Sequence, residues 1–272
     1  VAGGGAFLDA VGYAASSAHR GVRVIRMPST TLSQGDAGVG VKNGINAFGK
    51  KNFLGSFSPP WAVVNDTNLL SSLSDRDWRS GLSEAVKVAL LKDAAFFDEL
   101  RRLAARTRTR DLDAMEGIVE RSAHLHMKHI IEGGDAFERF TARPLDFGHW
   151  SAHKLEQMSG FDLKHGEAVA IGLLIDLTYA AMIGRLDESV LKSTRCCLLD
   201  MGFTLQHEAL GNHEVLLEGL REFREHLGGQ LTITLVEEIG KPLDVHEIDL
   251  NVMRRAIDDV RSVGLNESSR VG

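Results

Sequence analysis

A change of pattern between residues 66 and 75 does most to limit how this chain can fold. Before it, short runs with β-branched residues alternate with glycine turns; after it, apolar residues recur at helical spacing almost to the end. Gly21-Val22-Arg23-Val24-Ile25-Arg26-Met27-Pro28 alternates charged and apolar residues as a strand does. Trp61-Ala62-Val63-Val64-Asn65-Asp66, after the Pro59-Pro60 break, reads as another short strand. Val1-Ala2-Gly3-Gly4-Gly5 reads as the end of a strand running through a glycine turn into a helix over 7–18. A fold seldom begins at such a point, so the α/β part is expected to lack a preceding portion. Helical patterns follow over 83–91, 93–107, 111–132, 147–158, 165–183, 187–201 and 213–226, with Gly133-Gly134 and Gly184 as stops. A β-like run over 231–235 precedes a final helix at 247–263 and a polar tail over 266–272 that is expected to fray. The expected fold class is an α/β remnant over 1–66 followed by a mostly α-helical domain over 67–272.

Lys and Arg number 31 against 37 Asp and Glu, a net charge of −6 with both signs interspersed. That balance gives no general attraction to nucleic acid, so an anionic ligand has to be captured by a local cluster. No apolar run approaches the roughly 18 residues of a membrane span, and no signal-peptide pattern is present, so no membrane partner is expected. Cys196 and Cys197 are adjacent, without CxxC spacing. They read as buried or half-buried thiols of a cytoplasmic protein.

Two constellations carry chemistry. In Gly148-His149-Trp150-Ser151-Ala152-His153 the histidines share a helix face, and His165-Gly166-Glu167 opens the next helical run. Imidazoles on rigid helices, with a carboxylate from elsewhere, suit zinc or a similar divalent ion. HxxxH without the glutamate of HExxH also arises by chance in a chain with eleven histidines. The second constellation is a glycine-rich cationic stretch with Lys42, Lys50, Lys51 and Asn52, joined by Arg20. Glycine admits a ligand close to the backbone and lysine neutralises phosphate, although a solvated basic loop has the same composition. Gly3-Gly4-Gly5 before a helix can place backbone N–H groups against a pyrophosphate, but it is not the GxGxxG fingerprint.

In order along the chain, GGGAFLD, HRGVRVIRMPSTTL, DAGVGVKNGIN with its following KN, LSEAVK, DFGHWSAHKLE and HGEAVAIG resemble the 3-dehydroquinate synthase superfamily of sugar-phosphate cyclases. The resemblance covers nearly the whole chain. It implies a Rossmann-like NAD-binding domain followed by a helical metal-binding domain, a phosphorylated sugar substrate, NAD, a divalent metal (zinc or cobalt) and a homodimer. By resemblance the metal ligands are Glu84, His149 and His165. Asp36, Lys42, Asn52, Lys87 and Lys128 touch substrate, and His153 assists proton transfer near the phosphate. Arg20 from a neighbouring subunit, Lys51, Asn52 and Arg224 face the phosphate. NAD falls to Gly3, Gly4, Gly5, Asp9, Ser29, Thr30, Leu32 and Ser72, for which core, turn and solvated-carboxylate roles are the plain alternatives. The implied reaction oxidises a substrate alcohol, eliminates phosphate, returns the hydride and closes a carbocycle by an aldol step.

Four departures from the family pattern stand out. The first α/β half, which supplies residues for the adenosine end of NAD, is absent from this sequence, so weak NAD binding, or none, is expected of the chain as it stands. Ala142 and Asp146 replace an arginine and an asparagine, with Arg143 one residue off, which favours an uncharged polyol end over a carboxylate. VGVKN replaces VGGKT, and Lys50 stands where glycine is common. Arg224 and Glu225 replace a lysine pair. The wording DFGHWSAHKLE is similar to the synthase-like branch of ebo-type clusters. The reaction expected first is cyclisation of a heptulosonate 7-phosphate. Alternatives are cyclisation of a neutral heptulose phosphate such as sedoheptulose 7-phosphate, or a catalytically silent truncated homologue. An iron-type alcohol or glycerol dehydrogenase is disfavoured by the lysine-rich phosphate grip.

Overall fold

The computed structural model describes residues 1–48, 50–138 and 143–268, excluding the side chains of Lys50, Lys51, His226 and 263–268. In chain order its main elements are β1 (Ala2–Gly3), α1 (Gly5–Ser17), β2 (Ile25–Pro28), β3 (Lys42–Ala47), β4 (Lys50–Phe57), β5 (Ala62–Val63), α2 (Asp75–Ser80), α3 (Leu82–Lys92), α4 (Ala94–Arg108), α5 (Leu112–Glu132), α6 (His149–Met158), α7 (His165–Met182), α8 (Glu188–Asp200), α9 (His213–His226), β6 (Ile233–Glu238), β7 (Lys241–Val245) and α10 (Leu250–Ser268). These form two compact units, one of Val1–Ala85 with Thr109–Arg139 and the other of Val86–Arg108 with Phe140–Gly272. Compactness therefore divides the chain within α3 and returns α5 to the first unit, whereas the sequence pattern changes near residue 67. The final helix runs on to Ser268, through residues expected to fray.

In the first unit, β1, β2 and β5 form a parallel sheet in the order β1-β2-β5, with Ala2 opposite Met27 and Ile25 opposite Ala62. The connection from β1 to β2 is α1, the usual crossover between parallel strands. The glycine-dense stretch is more ordered than a loop. Ser33–Ala37 forms a π-helical turn, and β3 and β4 pair as an antiparallel hairpin with Lys42 opposite Phe57. A buried polar network holds this region to β2. Arg26 donates to the carbonyls of Gly38 (3.1 Å) and Gly40 (2.8 Å) and to Asn43 Oδ1, while Asn43 Nδ2 donates to the Val41 and Ser58 carbonyls. Helix α1 approaches this closely because residue 12 is glycine: a Cβ there would lie 1.9 Å from Asn43 Oδ1.

In the second unit α7 is the hub, with every residue from Gly166 to Ala180 buried. Its apolar residues run all round the helix, as expected of one enclosed by α6, α8, α10 and β6. Helix α9 packs on α6, where buried Lys154 bonds to Glu222 at 2.6 Å. The β-like run became the hairpin β6–β7, with Ile233 opposite Val245. Its second strand was hidden from sequence reading because Pro242 and charged neighbours suit only an exposed edge.

Candidate metal and cofactor site

The second unit gathers three imidazoles. His149 opens α6, His153 follows one turn later, and His165 opens α7. Ring centroids are 5.4 Å apart for His149–His153 and His149–His165, and 5.9 Å for His153–His165, the last pair stacked. His149 Nδ1 lies 3.0 Å from the Phe147 carbonyl, and His165 Nδ1 lies 3.2 Å from Glu156 Oε2. A carbonyl and a carboxylate only accept, so each Nδ1 carries the proton. In the neutral rings the lone pair is then on Nε2, the form a divalent ion requires of imidazole. The donor set in this unit thus fits a borderline metal such as zinc. Ligand atoms of His153, Glu156 and His165 also lie within 4.8 Å of one another. Glu156 was not among the expected residues, although its place seven residues after His149 and three after His153 puts it on the same helix face.

The remaining expected residues of this unit are Lys87, buried on α3, and Arg224, exposed on α9 with its Nε donating to the Gly229 carbonyl at 2.8 Å. Asp146 lies in the turn Pro144–Asp146. Ala142 is outside the described residues.

In the first unit Gly3, Gly4, Ser29 and Thr30 lie at the carboxyl ends of the parallel strands β1 and β2, where α/β sheets bind ligands, whereas Asp9 lies on α1 and Ser72 in the turn Thr67–Ser72. Gly3 ends β1, Gly4 caps α1 without a side-chain bond, and Ser29 N donates to the Gly3 carbonyl at 2.9 Å. A Cβ on Gly4 would meet the Thr30 methyl at 3.2 Å, a tight contact between the two strand ends. Thr30 and Ser33 exchange hydrogen bonds (Oγ1 to Oγ 2.8 Å) that open the π turn, with Leu32 half-buried between them. Asp36 on that turn pairs with His126 of α5 at 2.7 Å, a partner that no sequence pattern signalled. Lys42 pairs with Glu138. Asn52 is exposed at φ +51°, and its N–H donates to Asn46 Oδ1 at 2.9 Å. Arg20 is exposed at φ +68°, Lys128 lies 3.9 Å from Glu132, and the Ser72 hydroxyl donates to the Leu69 carbonyl. Glu84 is buried in the first turn of α3. The Lys51 side chain is outside the described residues.

Burial raises the Asp9 carboxyl to about 6; Arg26 and Lys42 oppose the shift and Asp36 adds to it. The folded state therefore holds this proton more tightly than the unfolded chain. Its contribution to stability falls as pH rises from about 4 to about 6. Asp9→Asn is expected to remove up to about 3 kcal/mol of that pH dependence, measured by urea unfolding across the window. Of the adjacent cysteines, Cys197 is buried and its thiol is pushed up to about 12 by burial, whereas Cys196 is exposed rather than buried or half-buried.

Residues 1–80 match the family model described as 3-dehydroquinate synthase N-terminal, and residues 81–222 match 3-dehydroquinate synthase C-terminal. The chain is 35% identical over 240 residues to the 3-dehydroquinate synthase of Dictyoglomus thermophilum, covering 88% of this chain and 66% of that protein. It is 33% identical to the 2-epi-5-epi-valiolone synthase of Streptomyces glaucescens, covering 96% and 68%. The 2-epi-5-epi-valiolone synthase of Streptomyces hygroscopicus subsp. jinggangensis, solved with NAD+ and Zn2+ bound, superposes with a TM-score of 0.89 at 29% identity, covering 95% of this chain and 72% of that one. The chain thus spans about two thirds of the length of the curated relatives it matches. Both halves match in order, and the fold is that of these cyclases: the chain belongs to the 3-dehydroquinate synthase family of sugar-phosphate cyclases.

Proposed function

We propose that this protein is a lyase that cyclises a heptulosonate 7-phosphate with elimination of phosphate, using NAD and a divalent metal, as 3-dehydroquinate synthases do. The observation that carries this reading is the pair His149 and His165, each with its Nδ1 proton given to an acceptor so that Nε2 can ligate. Glu84, in the first turn of a helix that continues into the second unit, supplies the third ligand. When bound, the metal supplies a Lewis acid for the substrate alcohol and NAD supplies reversible hydride transfer.

The chain's own residues do the rest. Lys87, Lys128, Lys42, Asn52 and Asp36 hold the substrate hydroxyls. Lys51 and Asn52 hold the phosphate, with Arg224 and with Arg20 of the partner subunit, which makes the working form a homodimer. His153, stacked on His165, moves a proton near the departing phosphate. The glycine turn, Asp9, Ser29, Thr30, Leu32 and Ser72 hold NAD. We place the protein in the cytoplasm, which suits free cysteines with one exposed thiol. No helix among the described residues is long and apolar enough to cross a membrane.

Glu156 holds His165 in its ligating tautomer. Glu156→Ala is expected to weaken zinc binding roughly 10- to 100-fold, and Glu156→Gln, which keeps an acceptor, to weaken it less. Competition against a chromophoric chelator reads both.

A second reading, cyclisation of a neutral heptulose phosphate, is favoured by Ala142 and Asp146, where an arginine and an asparagine are usual. Phosphate release by the full-length protein from heptulosonate 7-phosphate and from sedoheptulose 7-phosphate, with NAD and zinc, tests both readings. Preference for the first supports the main reading, and preference for the second moves the protein to the neutral-substrate branch. Silence with both, despite bound metal, contradicts both. Ala142→Arg is expected to raise the ratio of carboxylate to neutral substrate turnover.

A further inference from the structure

We propose that Asp176, on α7, is a positioning residue that fixes His149 by clamping the chain on both sides of it; the inference rests on His149 being a metal ligand. Asp176 is fully buried in a helix whose other residues between 166 and 180 are, apart from Glu167, uncharged. A carboxylate in such a place is costly unless its oxygens are met by donors. Here each oxygen has its own. Oδ2 accepts from the backbone N–H of Gly148 at 2.9 Å, and Oδ1 accepts from the indole Nε1–H of Trp150 at 2.7 Å.

The residue between those two donors is His149. The carbonyl that accepts the His149 Nδ1 proton belongs to Phe147, next to Gly148 on the other side. One carboxylate thus ties down the segment 147–150, and with it the ring's height, direction and tautomer. Helix α6 has no side-chain cap of its own, and Gly148 at its start sits at φ +77°. Asp176 caps the helix from the neighbouring one, placing an accepting oxygen at the end of α6 whose dipole favours it. The site demands two acceptors and no donor. Asparagine, nearly the same shape, would turn its NH2 toward either the Gly148 N–H or the indole N–H. Asp176 is also legible in the sequence afterwards, as the one aspartate inside an otherwise enclosed apolar helix.

The test is cobalt binding, with Co2+ alone as the probe, followed by its visible absorption in the wild type, D176N, W150F, D176N/W150F and H149A. H149A is expected to lose tight binding; if it binds as the wild type does, the metal reading itself fails. With that control in place, D176N is expected to bind Co2+ roughly 10- to 100-fold more weakly and with an altered spectrum while keeping wild-type helical circular dichroism. W150F, which keeps the carboxylate and the Gly148 bond, is expected to lose less. D176N/W150F is expected to recover affinity relative to D176N, because the amide NH2 no longer faces the indole. Wild-type affinity and spectrum in D176N overturn the inference. Should D176N fail to fold, W150F decides: weakened binding with an altered spectrum supports the clamp, and unchanged binding overturns it.

Discussion

Replacing His165 with alanine is expected to lower bound zinc to well below one ion per chain and to reduce kcat roughly a thousandfold or more. The size follows from what is lost. A Lewis acid at the reacting alcohol contributes several kcal/mol of charge stabilisation, and each ~1.4 kcal/mol is a factor of ten in rate. His165 is also fixed in place by Glu156, so its loss leaves a buried carboxylate without the imidazole it accepts from. His153→Ala is the informative contrast. On the proposed assignment it removes a ring from the same cluster but not a ligand, so zinc content is expected to hold while phosphate release slows. Metal analysis of the two purified variants separates a ligand from its stacked neighbour; unchanged zinc in the His165 variant would remove it from the site.

The second large effect is expected at a residue with no chemistry. Gly172 lies on α7 where the start of α6 crosses it, and a Cβ there would fall 2.1 Å from the Gly148 carbonyl oxygen and 2.9 Å from Ser151 Oγ. The first contact is with backbone, which cannot rotate away, so Gly172→Ala has to push the two helices apart. Overpacking of this kind costs about 3 kcal/mol, and in a chain of this size that lowers Tm by roughly 6–12 °C. His149 rides on α6 and His165 on α7, so zinc affinity is expected to fall as well. Gly117→Ala is the control: on α5 with nothing within 4 Å of the added carbon, it is expected to raise stability by about 0.5–1 kcal/mol. Thermal unfolding of the two variants checks both signs.

The helices were legible because their apolar spacing reports burial on one face, and the histidine spacing located α6 and the start of α7. Glu156 could have been found by extending HxxxH one further turn to HxxxHxxE. The Arg26–Asn43 network and the Asp36–His126 pair could not. Each joins residues far apart in sequence, and a lone arginine in a strand or histidine on a helix reads the same whether paired or solvated. The hairpin β3–β4 hid behind its glycines, which suit a loop as well as a strand pressed against α1. The division of the chain was also obscured: α5 is helical by pattern, yet it packs with the α/β part through the π turn of Ser33–Ala37. Periodicity identifies an element but not the unit it joins.

The most direct test of the central claim is to follow inorganic phosphate and NADH in the same reaction of the full-length protein with heptulosonate 7-phosphate, NAD and zinc. A cyclase returns its hydride, so phosphate is expected to accumulate over many turnovers with no net NADH. NADH rising in step with product, with no phosphate released, would make the protein a dehydrogenase on the same fold and contradict the account.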